Sequence, residues 1–504
     1  MKNKYLTLIF TTLLCSTLAT AIPPYPGLNL KEPARPRIPN SESLSQQRRI
    51  SSHHAPKINL APRGLLILVE FADKQFAEGN SQLAFDSLAN SDNYTYNGAT
   101  GSCKQYFSDQ SSGKYIPHFD VVGPVALPNN MAYYGDDMNK GDDRYLFDFV
   151  LDACEGADQL GVDFSDYDND NDGFVDFIYV LYAGYGQFDG GDATTIWPHT
   201  WDLKSVLYFG YHNQEKYYAN SNTDYLLPQI DGKILNSYAC SNELKYTTNA
   251  RAGIGTICHE FSHVLGLPDY YLTVTDPETN SNHRLTPGAW SLMGYGNHLN
   301  NGNTPPNFSV YDKYFLGWLE PTVLSASQSL EIPADGKTTY MLTNNEKHVP
   351  DGAYRTDTVY YIENRQQEGW DAYLPGHGML IWRVIYNDSD WNDNCPNDYA
   401  ARYLLVSAEK CSSPYTTGDA KPEVPFPGKS NVTTYAPFSH NRLENIFEQD
   451  GLITCDFVTT TVPSALENIT ISNDDIWYNI MGQPINPRTY KGIAICRNKK
   501  YLLR

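Results

Sequence analysis

Positive charge and long apolar segments are both scarce in this sequence. The 504 residues carry 37 Lys and Arg against 58 Asp and Glu, for a net charge of −21. This imbalance argues against nucleic acid or an anionic membrane surface as the main partner. After residue 21, no apolar run approaches the length that a transmembrane helix needs. The sequence therefore predicts no nucleic-acid partner and no transmembrane segment.

Several short motifs are also missing. Because there is no CxxC pair, a cysteine-based metal site has no support. No Gly-Xaa-Ser-Xaa-Gly elbow or phosphate-binding loop occurs, so a serine hydrolase and a nucleotide-dependent enzyme lack their usual signatures. Of the nine cysteines, eight follow residue 21. That even number permits disulfides in an exported chain, and Cys395 with Cys411 is our choice for one local bridge.

The N-terminus has the three parts of a signal peptide. Lys2 and Lys4 precede an apolar run over Tyr5–Leu14, and small residues follow up to Ala21. The pattern predicts a signal peptide over residues 1–21, cleaved before Ile22, and a protein that is secreted or held at the cell surface. A membrane anchor is the alternative, but the apolar run is short for a bilayer.

Composition divides the remaining chain into four segments. Residues 22–60 are rich in Pro, Ser and basic residues and predict a propeptide or a linker. The catalytic domain is predicted at residues 61–322. A β-rich domain is predicted at residues 323–462, because turn residues separate short apolar runs there. Residues 463–504 predict a small module of hairpins. The whole predicts an α+β chain.

Hydrophobic periodicity places the main elements within these segments. Strands are predicted at 65–71 and 174–182, and helices at 143–160 and 251–265. Further short strands are predicted at 358–362 and 378–384.

The helix predicted at 251–265 carries the central motif. His259 and His263 are four residues apart, so a helix places both imidazoles on one face, where they can bind one ion. Glu260 stands beside them, where it can take a proton from water at the metal. These residues predict a zinc site for peptide-bond hydrolysis. A pair of structural histidines is the alternative, but the apolar residues of the helix lie on nearly the opposite side.

Asp269 is the predicted third zinc ligand. Gly266 permits the helix to end in a left-handed turn, and Asp269 is the first strong ligand after that turn. A carboxylate from a later element, Asp312 or Glu320, or a nearby tyrosine is the competing choice. Asp269 would then be a cap, or an acceptor for one of the histidines.

An acidic loop predicts a calcium site. Position 6 of the loop is Gly173, where the chain must turn sharply, and position 12 is Tyr179 in place of the EF-hand Glu. The predicted ligands are the side chains of Asp168, Asp170, Asp172 and Asp176 and the carbonyl of Phe174. A strand follows the loop, so we predict a calcium loop outside an EF-hand that stiffens the domain. A solvated acidic turn is the alternative.

The motifs resemble those of the immune inhibitor A-like (thuringilysin) family of secreted zinc metallopeptidases. The resemblance rests on HEFSHVLGLPD, WSLMGYG, GLLILVEFAD, IWPHTW, YDKYFLGW and YYIENRQQEGWDAYLPGHGML. It runs from about residue 63 to at least residue 384, and the sequence departs from the family pattern after Leu380. It implies a metzincin-like zinc endopeptidase acting on a protein or peptide substrate. It also implies that Met293 forms a Met-turn beneath the zinc site, and that Tyr295 stabilises the tetrahedral intermediate.

The last segment has a resemblance of its own. Residues 463–504 are similar to the C-terminal sorting modules of type IX secretion substrates, although Cys496 and Arg497 stand where those modules have an apolar strand. The similarity implies a type IX-like secretion machinery as a partner, with a plain terminal β-element as the alternative.

Taken together, the sequence predicts a secreted zinc endopeptidase in which Glu260 is the general base. The competing function is a calcium-dependent surface adhesin or binding protein that keeps the fold without catalysis. The presence of Glu260 and of both histidines argues against that competitor.

Overall fold

The computed structural model interleaves helices with strands, which confirms the predicted α+β class. It describes residues 20–21, 61–137, 143–212, 226–272, 286–343, 358–398, 400–409, 424–460, 477–479, 483–486, 492–496 and 499–503. The predicted propeptide or linker at 22–60, and most of the predicted signal peptide, lie outside these residues.

A seven-stranded mixed sheet forms the centre of the N-terminal half. Its strands are β1 (Thr20–Ala21), β2 (Arg63–Glu70), β3 (His118–Ala126), β4 (Ile178–Tyr185), β5 (His199–Asp202), β8 (Ser237–Lys245) and β9 (Ala250–Arg251). A separate hairpin of β6 (Gln229–Ile230) and β7 (Lys233–Ile234) precedes β8. The order in the sheet is β1-β5-β8-β4-β2-β3, and β9 pairs with β8. The strands β3, β2, β4 and β8 run parallel, whereas β5 is antiparallel to β8.

The parallel strands are apolar because helices cover both faces of the sheet. Every residue of β2 from Gly64 to Val69 is buried. The helices of this half are α1 (Gln82–Asn90), α2 (Cys103–Gln110), α3 (Met131–Gly135), α4 (Leu146–Gln159), α5 (Leu203–Phe209) and α6 (Gly255–Val264). The strand predicted at 65–71 and the helix predicted at 143–160 correspond to β2 and α4.

Two predicted elements begin later than the sequence indicated. The helix predicted from residue 251 begins at Gly255, because Ala250 and Arg251 pair with β8 instead. The strand predicted from residue 174 begins at Ile178, because the preceding residues belong to the acidic loop.

The following part of the chain contains two packed sheets. Helix α7 (Val310–Phe315) ends the N-terminal half. The part after it has helix α8 (Asp388–Asn392) and strands β10 (Thr322–Val323), β11 (Gln328–Ile332), β12 (Tyr340–Thr343), β13 (Val359–Arg365), β14 (Gly378–Val384), β15 (Tyr403–Leu405), β16 (Asn441–Gln449) and β17 (Leu452–Thr459). One sheet has the order β10-β12-β13-β14-β15 and the other β11-β17-β16. Apolar residues from both sheets, including Ile332, Ile381 and Ile453, form one core between them.

The opposite face of the five-stranded sheet packs on the N-terminal half. The ring of Tyr311 on α7 lies with its centroid 5.3 Å from that of Tyr361 and 5.4 Å from that of Tyr403. Trp382 and Trp391 belong to the same apolar cluster as Phe261 on α6. A continuous core therefore crosses the predicted boundary at residue 322, and the predicted domain limits remain predictions.

The C-terminal tail forms a separate small sheet. Its strands are β18 (Trp477–Asn479), β19 (Pro484–Ile485), β20 (Gly492–Cys496) and β21 (Lys499–Leu503), in the order β19-β18-β20-β21. Within the described ranges, no helix combines the length and apolar character that a membrane crossing requires. Cys411 lies outside those ranges, so the bridge to Cys395 remains a prediction.

Candidate active site

Two glycines set the limits of α6. A Cβ added to Gly255 would lie 2.0 Å from the backbone oxygen of Asn297, so only glycine lets the start of the helix approach the turn at 296–302 so closely. Gly266 has φ 94°, in the left-handed region, and its N–H donates to the carbonyl of His263 at 2.9 Å. This left-handed turn is the helix ending that the sequence predicted.

The chain that reverses at Gly266 returns Asp269 to the two histidines. The Oδ1 of Asp269 lies 3.1 Å from the Nε2 of His259 and 3.4 Å from the Nε2 of His263. Their imidazole centroids are 4.9 Å apart, with the rings nearly perpendicular at 88°. Donor atoms of the three residues all lie within 4.8 Å of one another. The structure thus brings together the three residues predicted to bind zinc.

The competing carboxylates lie elsewhere. Asp312 is fully buried, and its Oδ1 accepts a hydrogen bond from the hydroxyl of Tyr270 at 2.8 Å. Glu320 is exposed. Among the described residues, only Asp269 supplies a carboxylate to the group containing His259 and His263.

Backbone carbonyls determine the tautomer of each histidine. The Nδ1 of His259 lies 2.9 Å from the carbonyl oxygen of Leu292, and the Nδ1 of His263 lies 2.8 Å from that of Leu267. A carbonyl oxygen can only accept a hydrogen bond, so each Nδ1 carries the proton. In the neutral imidazole, each Nε2 then presents a lone pair toward Asp269, which is the form that a metal requires.

Electrostatics favour positive charge between these residues. Burial alone would raise the pKa of the Asp269 carboxyl, but the imidazoles of His263 and His259 hold it below its usual value. Burial lowers the pKa of His259, yet Asp269 and Glu260 outweigh it and raise that pKa. Two imidazole nitrogens and one carboxylate are the donor set of a catalytic zinc site. The residues present therefore fit that ion.

The carboxylate of Glu260 is also buried, and it accepts a hydrogen bond at Oε2 from the hydroxyl of Thr200. Thr200 lies on β5, and sequence reasoning missed it because the contact spans 60 residues. The other edge of β5 pairs with Thr20–Ala21, in the register Thr20 opposite Thr200. An extended segment of the chain thus runs along the strand that contacts Glu260.

The predicted Met-turn supports both α6 and the segment after it. Met293 is fully buried, and its carbonyl accepts from the N–H of Tyr270 at 2.8 Å. A Cβ on Gly294 would lie 2.4 Å from the backbone oxygen of Gly288, so the turn tolerates no side chain there. Leu292, next in sequence to Met293, supplies the carbonyl that orients His259.

Tyr295, the predicted stabiliser of the intermediate, is also buried. Its ring lies with its centroid 6.1 Å from that of Tyr271, two residues beyond Asp269. Tyr295 is therefore near the chain that carries Asp269, and its catalytic role stays a prediction.

The sequence pattern placed the apolar residues of α6 on one side and the two histidines on nearly the opposite side. In the structure, every residue from Gly255 to His263 is buried. The Met-turn, β5 and a segment near Asn394 cover the histidine side. Asn394 was not predicted at all, although it hydrogen-bonds to Asp269. It lies 125 residues downstream, and no local pattern links the two positions.

The acidic loop gathers three of its four predicted carboxylates. Carboxylate oxygens of Asp168, Asp170 and Asp176 lie within 4.8 Å of one another. The side chain of Asp172 instead accepts from the N–H of Phe174 at 2.9 Å, and Gly173 has φ 93°, as the sharp turn requires. Burial raises the pKa of Asp176 to about 6, and the charges of Asp170 and Asp172 add to that effect.

Lys233 on β7 reaches into the same loop. Its ammonium lies 2.6 Å from Oδ2 of Asp168, whose side chain is 1% exposed. Sequence reasoning missed this contact because Lys233 lies 65 residues beyond Asp168. The loop therefore has a cationic partner from the protein beside the three clustered carboxylates.

A mixed sheet, an HExxH helix, a Met-turn and a carboxylate returned by a glycine turn together define the catalytic domain of a metallopeptidase. The comparison with known families agrees with this class. The profile of the immune inhibitor A peptidase M6 catalytic domain matches residues 63–318. The chain belongs to this family, which confirms the resemblance seen in the sequence.

Two curated relatives share part of the chain. Immune inhibitor A of Bacillus thuringiensis subsp. alesti is 30% identical over 236 residues, which cover 42% of this chain and 31% of the relative. The pre-pro-metalloprotease PrtV of Vibrio cholerae serotype O1 is 27% identical over 287 residues, which cover 50% of this chain and 28% of the relative. The matched part thus spans less than a third of the length of these relatives.

Proposed function

We propose that this chain is a secreted zinc-dependent endopeptidase in which Glu260 is the general base. The observation that carries the proposal is the convergence of His259, His263 and Asp269 in one buried group. Glu260 follows His259 on α6 and is buried like the three residues of this group. Family membership supports peptide-bond hydrolysis as the reaction.

The protein residues have separate tasks in this mechanism. When bound, zinc supplies Lewis acidity toward water and toward the scissile carbonyl. Its proposed holders are the Nε2 atoms of His259 and His263 and the Oδ1 of Asp269. The Glu260 carboxylate takes a proton from the attacking water and delivers it to the departing amine nitrogen.

Two further residues support the reacting groups. The hydroxyl of Thr200 donates to Glu260 and fixes the orientation of the carboxylate that moves the proton. Tyr295 would donate a hydrogen bond to the oxygen that becomes negative during attack. Its burial close to Tyr271 favours a fixed position, which such a donor needs.

The edge of β5 supports a peptide as substrate. An extended peptide can add to this strand by backbone hydrogen bonds, as Thr20–Ala21 does in this chain. These two residues belong to the proposed signal peptide, and its cleavage before Ile22 would release the edge. Backbone pairing is largely independent of side chains, which suits an enzyme that cleaves within protein chains.

Proteolysis of a generic protein substrate tests the proposal. The purified protein should degrade fluorescently labelled casein, a zinc chelator should abolish the cleavage, and added zinc should restore it. Cleavage that resists the chelator would contradict a metal mechanism. A protein that binds zinc and calcium but cleaves no substrate would instead support the adhesin or binding function.

We propose a second cation site for calcium in the acidic loop. The clustered oxygens of Asp168, Asp170 and Asp176 suit a hard cation, and the carbonyl of Phe174 and the side chain of Asp172 would complete the shell. The bond from Lys233 to Asp168 would weaken or break when calcium binds there. The expected role of the ion is to stiffen the loop before β4.

The predicted division of the chain is retained as part of the proposal. The signal peptide at 1–21, the propeptide or linker at 22–60, and the limits 61–322, 323–462 and 463–504 are retained as proposed segments. The last of these would be recognised by a type IX-like secretion machinery. Its compact sheet β19-β18-β20-β21 supports a distinct module at that end.

A further inference from the structure

Asn394 makes a pair of hydrogen bonds with Asp269. Its Nδ2 donates to Oδ2 of the Asp269 carboxylate at 2.7 Å, and its Oδ1 accepts from the backbone N–H of Asp269 at 2.6 Å. Asn394 is 1% exposed and Asp269 is 0% exposed. One amide therefore holds both the backbone and the side chain of a single residue.

The two oxygens of Asp269 consequently have different surroundings. Oδ2 is bound to the Asn394 amide, whereas Oδ1 faces the Nε2 atoms of His259 and His263. A carboxylate on a loop would otherwise lose rotational freedom when it binds an ion, which costs free energy. The amide holds the carboxylate in place and, being neutral, leaves its negative charge to the ion.

The conformation of Asn394 depends on the segment after α8. Its φ of 54° lies in the left-handed region, which asparagine adopts more readily than most residues. Its N–H donates to the carbonyl of Trp391 at 3.2 Å, and Trp391 is buried in the core shared with α6. The backbone at Asn394, and with it the side-chain amide, is thus held by contacts that do not involve Asp269.

A second asparagine, Asn397, holds the same segment without contacting any of the proposed metal ligands' side chains. The Nδ2 of Asn397 donates to the backbone carbonyls of Tyr270 and Tyr403, each at 2.8 Å. Asn397 is 2% exposed. Its contacts hold the backbone next to Asp269, whereas those of Asn394 reach the Asp269 carboxylate itself.

We infer that Asn394 is a positioning residue for the third metal ligand, supplied from outside the matched catalytic domain, which ends at residue 318. The inference rests on the proposed zinc site. It makes the 388–403 segment part of the metal centre. In this arrangement the 388–403 segment orients a ligand of the peptidase domain without supplying a ligand itself.

Zinc affinity in the full chain tests the inference. Asn394→Gly removes the amide and tolerates the positive φ, while Asn394→Asp keeps the shape and puts an oxygen against Oδ2. The dissociation constant for zinc is measured by competition with a chromophoric chelator, and the visible spectrum of the cobalt-substituted protein reports ligand geometry. We expect both variants to weaken zinc binding by about 10- to 100-fold, as for other partners of metal ligands, and to alter the cobalt spectrum.

Asn397→Ala is the matched control. It removes an equally buried amide that binds only backbone carbonyls, so it should lower the melting temperature of the metal-free protein but disturb zinc affinity and the cobalt spectrum less than the Asn394 variants do. If the Asn394 variants bind zinc as the unaltered chain does, or lose no more affinity than Asn397→Ala, the positioning role is wrong. If the unaltered chain itself binds no zinc, the proposed function fails instead.

Discussion

The ring of Tyr270 lies flat on the ring of Tyr403, with centroids 3.7 Å apart and planes 4° apart. Tyr270 follows Asp269 in sequence, and Tyr403 begins β15 of the five-stranded sheet. Both hydroxyls point to Asp312, at 2.8 Å and 3.5 Å from its Oδ1. The chain leaving the proposed metal site is therefore packed against the downstream sheet.

The two stacked tyrosines contact Asp312, and titration of this buried carboxyl should change the free energy of unfolding with pH. Burial raises the pKa of Asp312 to about 6, against an ordinary value of 3.8. The folded protein thus binds an extra proton between these values, and stability is lost as the pH rises through about 6. In Asp312→Asn this loss is absent, so the unfolding free energy of the variant minus that of the unaltered protein should rise by about 2 kcal/mol between pH 4 and pH 7.

Urea denaturation at several pH values measures that difference. Metal binding also varies with pH, but it does so in both proteins and cancels in the comparison. A difference that stays constant from pH 4 to pH 7 would contradict a raised pKa at Asp312.

Glu260→Gln should retain zinc and lose activity. The amide keeps the size of the side chain but cannot take a proton from water, so kcat should fall by about 10²- to 10⁴-fold. Casein cleavage and metal content are measured on the same preparation. Turnover close to that of the unaltered protein would show that another group is the base.

Tyr295→Phe tests the proposed donor to the developing negative charge. Loss of one such donor should lower kcat by about 10²-fold or more with little change in KM, because the hydrogen bond forms in the transition state. Steady-state kinetics on a fluorogenic peptide separate the two constants, and Tyr271→Phe serves as the neighbouring control. Equal effects of the two substitutions would assign Tyr295 a packing role only.

Calcium should raise the melting temperature, and Asp170→Asn should reduce that effect. An ion that binds only the folded chain stabilises it by mass action, and Asp170 is an exposed member of the clustered carboxylates. Asp158→Asn removes the same charge from the exposed surface of α4 and should leave the shift unchanged. If calcium stabilises both variants equally, the ion binds at another place.

Removal of residues 463–504 should spare proteolysis and disturb export. The tail sheet is built from β18 to β21 alone, without strands from the peptidase sheet. Cell fractions from the native host are compared by immunoblot, and casein cleavage is measured on the purified truncated protein. The same cellular distribution with and without the tail would indicate a plain terminal β-element.

Local spacing predicted the parts of the site that lie close together in sequence. His263 is the fourth residue after His259, and Gly266 signalled the reversal that returns Asp269. The sequence did not predict the partners that come from other segments. Thr200 and Asn394 reach Glu260 and Asp269 across 60 and 125 residues, and an isolated Thr or Asn carries no pattern that identifies its partner.

The fold was predicted in a similar way. The apolar pattern of the sequence predicted β2, α4 and β14, because the spacing of their apolar residues follows from which side chains are buried. The start of α6 was misplaced, since Arg251 follows its pairing partner in β8 rather than its helical pattern. The apolar stripe on α6 indicated one buried side, but contacts from three distant segments cover the other side as well.

The aromatic packing of Tyr311 against Tyr361 and Tyr403 has a consequence for protein engineering. A peptidase excised at residue 322 would expose these rings to water and would tend to aggregate. Chimaeras that exchange the peptidase between homologues should therefore be spliced after β17 rather than after α7. In calorimetry, the two halves should melt in a single cooperative transition.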